Sequence, residues 1–298
     1  MSSTGRAREL RSAAWVAGVV LSACAGSALS SKTEDEARTL VPVPICVQRL
    51  PRRATPGSIV SLAAREYWSL LLPAFEPRAS TLDLTLPDCS GRPTLGGAAG
   101  TLGKRPVNPD EIVVGSGPDG FKVAWLPLTA HEALRTGLLA LLRQRQEVLE
   151  VYALGVYEGS VDGSRFSLER MGPALVVTAQ DEHCRGAEGD RRCDSSCTVY
   201  LMGNGRLHAR ARFPVDHSVD ARTAAAAGSA EYRFSASAEY RSDGVALSEK
   251  LSVLEQGRGE VRSIDLQRTL RLEGDRLVPS TESLWSQTAR QLGLPETR

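Results

Sequence analysis

The sequence predicts a mainly β fold: an antiparallel meander forming a sandwich or partly closed barrel, with one N-terminal and one C-terminal helix. Three observations carry this. Apolar and polar residues alternate one for one in 207–213 and again in 231–241, the period of a strand with one dry and one wet face. Short turn signals separate the runs, namely Asn204-Gly205, Ser242-Asp243-Gly244 and Gly257-Arg258-Gly259, as in strands joined consecutively. Clear helical periodicity occurs only near the two ends. A sheet with one dry face needs a cover, so the meander is expected to fold onto itself.

Taken in order, the chain starts with Arg6, Arg8 and Arg11 ahead of an uncharged run from Ser12 to Leu21. That is the basic-then-apolar layout of an export signal. The run ends in Leu21-Ser22-Ala23-Cys24. These four residues resemble the lipobox of bacterial lipoproteins, and the resemblance covers residues 1–24 alone. It implies cleavage before Cys24, a diacylglycerol thioether on its sulfur and an N-acyl chain, a membrane partner that several acyl chains hold stably. Ala25 stands where an inner-membrane retention signal of that family has Asp, which points to the outer membrane. Two other readings stay open. Ala28-Leu29-Ser30 suits an ordinary signal peptidase, and the uncharged stretch from Ser12 to Ser31 is just long enough for an uncleaved span. All three place the body outside the cytoplasm.

The expected organisation is a signal peptide over 1–23, a lipid anchor and flexible tether over 24–40, and an ectodomain over 41–298 with a possible subdivision near 108. The tether is small and polar, with an acidic cluster at Glu34-Asp35-Glu36, and has too little apolar surface to order itself. Residues 41–50 read as an irregular edge strand, because proline is excluded from central positions. Residues 58–72 read as a helix capped by Ser58 and stopped by Pro73, with Val60, Ala64, Tyr67, Trp68 and Leu71 on one side. Leu82, Leu84 and Leu86 alternate as a short strand leading to Cys89, and 91–108 reads as a long surface loop.

Gly117-Pro118-Asp119-Gly120 is a turn between strands at 112–114 and 121–125. Residues 129–150 are ambiguous; a hairpin of Leu138–Leu142 with Val148–Tyr157 is favoured, the second strand being apolar on both faces. The strands at 207–213 and 231–241 follow. In the latter Tyr232, Phe234, Ala236, Ala238 and Tyr240 point one way. Further strands carry Val245, Leu247, Leu251 and Val253, then Ile264, Leu266, Leu270 and Leu272. Residues 280–292 close the chain as a helix that packs Leu284 and Trp285 on the sheet.

The chain has six cysteines. Outside the cytoplasm, spaced cysteines read first as disulfides. The favoured pairs are Cys46–Cys89 and Cys184–Cys197, the second closing a loop between strands at 174–178 and 199–202; Cys184–Cys193 is close behind. Excluding Cys24, the number is odd, so one thiol remains. An alternative uses His183, Cys184, Cys193 and Cys197 as a zinc set. The spacing fits no familiar zinc pattern, and adjacent His183 and Cys184 rarely reach one ion.

Lys+Arg (36) and Asp+Glu (35) nearly balance, so the chain lacks the electrostatic footprint of a nucleic-acid binder. It carries no nucleophile elbow, phosphate loop, dinucleotide fingerprint or zinc-protease helix. His131-Glu132 has no second histidine after it. Gly115-Ser116-Gly117 reads as turn chemistry, and His208 as a solvated residue on a polar face. The expected function is a binding or structural module of the cell envelope, needing no cofactor, whose partner is another envelope protein or a hydrophobic ligand held in the curled sheet. The alternative classes are a secreted hydrolase without a recognisable motif and a metal binder using the 183–197 loop.

Overall fold

The computed structural model describes residues 42–50, 62–76, 78–83, 85–93, 104–128, 134–185, 192–220, 230–255 and 259–294. The export segment with Cys24, the tether, the Ser58 cap, Leu84, His131 and the turn at Gly257-Arg258 lie outside them. The strands are β1 (Cys46–Arg49), β2 (Thr81–Asp83), β3 (Lys104–Pro106), β4 (Val113–Ser116), β5 (Phe121–Pro127), β6 (Arg135–Arg145), β7 (Val148–Gly159) and β8 (Arg165–Met171). They continue as β9 (Ala174–Arg185), β10 (Arg192–Gly203), β11 (Arg206–Asp220), β12 (Ala230–Arg241), β13 (Gly244–Glu255), β14 (Gly259–Glu273) and β15 (Arg276–Pro279). The helices are α1 (Ala64–Leu71) and α2 (Leu284–Gln291). The fold is thus mainly β with a helix toward each end, as the alternation predicts.

All strands but β2 and β3 belong to one large sheet, with one path running β15-β14-β13-β12-β11-β7-β6-β5-β4. Its neighbours are antiparallel except β11 and β7, which meet in parallel at Arg206 and Leu154. The sheet does not close into a barrel. It folds back on itself, so that β4–β7 pack on β8–β11, and these in turn pack on β13–β15.

The layering follows from which side chains each strand turns to which neighbour. In β5 and β6, Ala124, Leu126, Leu138, Ala140 and Leu142 face α1 with Trp68, Leu71 and Leu72. Their alternate neighbours Val123, Trp125, Leu139 and Leu141 face Phe166, Leu168, Val177 and Tyr200 of the next layer. A strand buried on both sides reads as a continuous apolar run, which is why Leu138–Leu142 shows no alternation. The far side of that next layer, with Val176, Val199 and Phe213, meets Val245, Leu247, Leu270 and Leu277. A last small core joins Phe234 and Leu251 to Leu284 and Trp285 of α2.

Two bulges alter what simple alternation suggests. Between β6 and β7 the register jumps after Leu141↔Ala153 to Leu142↔Val151, leaving Tyr152 as the extra residue and reversing the faces beyond it. Between β10 and β11 a second jump leaves Arg210 unpaired in register. Leu207 therefore faces one core while Ala211 and Phe213 face another, although all three share sequence parity. Arg210 itself swings to an ion pair with Asp275, 2.6 Å away.

The N-terminal elements pack as one layer on β4–β7. Leu82, Val107, Leu126 and Leu142 share a core, so residues on both sides of 108 belong to one packing unit. The loop expected over 91–108 contains β3, an exposed strand paired with β2; its Lys-Arg-Pro sequence has no apolar period to reveal it. Cys46 and Cys89 form a disulfide with a Cα–Cα distance of 6.0 Å, joining β1 to the segment after β2. Beside it, the buried Asp88 carboxylate accepts from the Ser90 and Arg92 backbone N–H groups at 2.8 and 3.1 Å and faces Arg206 at 3.5 Å. Asn204 and Gly205 turn β10 into β11 with φ of 51° and 72°, the left-handed pair that a tight hairpin requires.

Candidate binding groove

Cys46–Cys89 is formed as expected. The second disulfide is Cys184–Cys193, which corrects the favoured pairing of Cys184 with Cys197. The reason is register. Cys193 stands directly opposite Cys184 in the β9–β10 pair, with Cα atoms 3.9 Å apart, whereas Cys197 stands opposite Gln180. Four residues of strand separate Cys197 from Cys193, roughly 13 Å at the usual rise.

The same register takes apart the zinc set. His183 points to the opposite face from Cys184 because neighbours in a strand alternate, and it pairs with Asp194. Two thiols of the set are joined to each other. The Glu182 carboxylate is what lies close to Cys184 and Cys193.

His208 is exposed on β11. His217 is buried, with Nδ1 3.3 Å from the Asp194 carboxylate and its ring stacked on Trp285, centroids 4.8 Å apart. It holds α2 to the sheet. Gly115-Ser116-Gly117 is packing as well as turn chemistry: a Cβ on Gly115 would lie 2.1 Å from the Phe166 carbonyl oxygen, so glycine lets β4 approach β8.

A concave site arises from a fork in the sheet. β11 pairs with β12 only from Asp216↔Ser235 to Asp220↔Glu231. Nearer its start β11 runs with β10, while β12 continues with β13 alone. The two strands diverge and leave a groove of about 250 Å³ between β8–β11 on one side and β12 on the other.

Its floor is a cross-strand row, Arg165↔Gln180↔Cys197↔Phe213. Partners in register share a face, so these four side chains point into the same space. The next row contributes Ser167 and Thr178, whose hydroxyls are 2.5 Å apart. Val215 joins from the irregular step between Ser195↔Asp216 and Ser196↔Pro214.

The opposite wall is Ala236, Ala238 and Tyr240 of β12. The two alanines make the space. Phe234 on the same side of β12 fills the gap to α2, and Tyr240 packs near Val245 and Leu247. Between these aromatic residues each alanine leaves out the volume of a large side chain.

The groove is dry at the Phe213 end and wet at the Arg165 end. Among the described residues, neither the Arg165 guanidinium nor the Gln180 side-chain amide has a hydrogen-bond or ion-pair partner. Cys197 is 8% exposed and unbridged. Burial pushes its thiol up to about 11, against a hydrogen bond from the Tyr240 hydroxyl that acts the other way. Burial also raises Tyr240, helped by the thiol beside it. A thiol held protonated is a weak nucleophile, so Cys197 supplies soft apolar surface. Such an arrangement of apolar walls with a few unpaired polar groups at one end is suited to holding and orienting a small molecule.

The alternation in 231–241 already places Ala236, Ala238 and Tyr240 on one face. That Arg165, Gln180 and Phe213 are their neighbours follows only from which strands pair.

No protein-family description, curated protein or solved structure matches this chain.

Proposed function

We propose that this chain is an exported cell-envelope protein, held at the membrane through lipid on Cys24, whose β ectodomain is a binding module with its ligand site in the fork between β11 and β12. The observation that carries the binding reading is the groove itself, with its apolar walls and the unpartnered Arg165 and Gln180. The envelope reading is supported by the lipobox-like Leu21-Ser22-Ala23-Cys24. It is also supported by two cysteine pairs at disulfide distance, which suit an oxidising compartment.

The two halves fit together physically. A tether of 24–40 keeps the ectodomain close to a bilayer, so a ligand released from or delivered to that bilayer meets the groove at high local concentration. The test is the intact mass of the mature protein recovered from bacterial membranes without reductant. The expected result is a chain beginning at Cys24, carrying acyl mass and lacking the hydrogens of two disulfides. A soluble chain beginning near Ser31, or a membrane-bound chain retaining residues 1–23, overturns the lipid anchor.

A further inference from the structure

We infer that the groove takes a small amphiphile with one carboxylate, its head on Arg165 and Gln180 and its aliphatic tail between Phe213 and the Ala236–Ala238 wall. This rests on the binding-module reading above and names the chemical class of its ligand.

Charge fixes the orientation. Arg165, Ser167 and Glu169 follow one another along the groove side of β8. The Glu169 carboxylate is near enough to raise both Cys197 and Tyr240, so an anion is repelled from that end. Four residues back along β8, at the wet end of the cross-strand row, the Arg165 guanidinium has no partner among the described residues. A planar guanidinium beside an amide N–H offers parallel donors, the geometry that suits a carboxylate. Gln180 is half-buried, pairs in register with Arg165 and has no side-chain partner among the described residues. Its amide N–H groups stay open to the groove, where they donate beside the guanidinium to a carboxylate seated on Arg165.

Size fixes the tail. About 250 Å³ holds roughly eight heavy atoms at the ~30 Å³ each that a water occupies in the liquid. The seven carbons of octanoate beyond its carboxyl group fill that space and leave the head at the mouth.

The experiment is titration calorimetry on the purified full chain with octanoate and with octan-1-ol, repeated on Arg165→Gln and Ala238→Phe. Ala238 is exposed, so phenylalanine fills the groove without disturbing a core; an unchanged disulfide-linked mass and near-UV spectrum verify the fold. Octanoate is expected to bind one per chain. R165Q weakens it about tenfold, the loss of roughly one charge-assisted hydrogen bond, and leaves octanol unchanged, while A238F abolishes both. Equal binding of acid and alcohol, or no effect of R165Q, overturns the carboxylate head and leaves the groove as an apolar binding site. Binding that survives A238F places the site elsewhere. No binding of either probe at millimolar concentration removes the groove as a small-molecule site altogether, whatever the intact mass says about the anchor.

Discussion

Cys197 shows how position within a strand decides what a residue does. Its sequence neighbourhood, between Cys193 and a strand start, makes it a credible disulfide partner for Cys184. Register instead sets it across from Gln180, in the groove floor. Its raised thiol pKa makes a direct prediction. At pH 8 the thiolate fraction should be about a hundredfold below that of an ordinary cysteine, since each unit is tenfold and burial moves the group from 9.0 to about 11. Alkylation by iodoacetamide in the native protein should be slower than in guanidinium by about that factor. Equal rates would mean that the thiol is open to solvent. The sign of the linked stability change follows. The folded state keeps the proton more tightly, so the contribution is fully present below pH 9 and is lost as pH rises toward 11. Urea midpoints of the wild type should fall across that window, and Cys197→Ala should flatten the fall. A filled groove that shields the thiol further should slow alkylation again, which makes Cys197 a native reporter of occupancy.

At the scale of the element, α2 is held by a buried charge cluster that periodicity does not reveal. Glu249 of β13 is 2% exposed and Arg268 of β14 is 6% exposed. Arg268 Nε donates to one Glu249 oxygen, and the other accepts the Leu284 backbone N–H at 2.8 Å. That N–H opens α2, where a helix leaves donors unpaired and favours negative charge. Ser283 caps the same turn, its hydroxyl accepting from Ser286 N at 3.0 Å. Removing one member of a buried pair leaves the other unpaired, at a cost of about 3–5 kcal/mol, whereas replacing both by apolar residues of similar volume is often neutral. Arg268→Ala should therefore lower unfolding free energy by that amount and speed hydrogen exchange over Leu284–Gln291. The double replacement Glu249→Leu with Arg268→Met should restore most of the stability, but not the slow exchange at Leu284 N–H, which loses its acceptor. Trp285→Ala should act on the same helix by a separate route, losing the contacts to His217 and Phe234 and about 3–5 kcal/mol. The sequence discloses the helix, its buried Leu284 and Trp285 and the strands under it. The charge pair escapes it, because in an alternating strand Glu249 and Arg268 look like ordinary solvated positions.

Across the whole molecule, legibility tracks how many cores a strand serves. β12 lies at the margin of two cores and shows clean alternation over Tyr232–Tyr240. β5, β6 and β7 lie between two cores and give only apolar runs. β11 changes face at Arg210, so its regular pattern conceals a switch of core. The groove is the least legible feature, since it needs β8, β9, β10 and β11 in register and β12 forking away. The layers also define how local damage should spread. The core under α1 contains Cys46 and Cys89 at its margin and shares the double-sided strands β5–β7 with the next core, while Asp88 and Arg92 also reach the β10–β11 turn at Arg206 and Asn204. Cys46–Cys89 closes a separation of 43 residues and Cys184–Cys193 one of 9. Chain entropy then assigns about 4 kcal/mol to the first and about 2.6 kcal/mol to the second. Cys46→Ala with Cys89→Ala should lower unfolding free energy by more than Cys184→Ala with Cys193→Ala in urea titrations under non-reducing conditions. Hydrogen exchange should separate them further. The first double replacement should speed exchange in β1 and α1 and leave β13 and β14 protected; the second should loosen the ends of β9 and β10 beside the mouth of the groove. If the 184–193 replacement proves the costlier, that pair is fixing the β9–β10 register on which the groove floor depends, and octanoate affinity should fall with it.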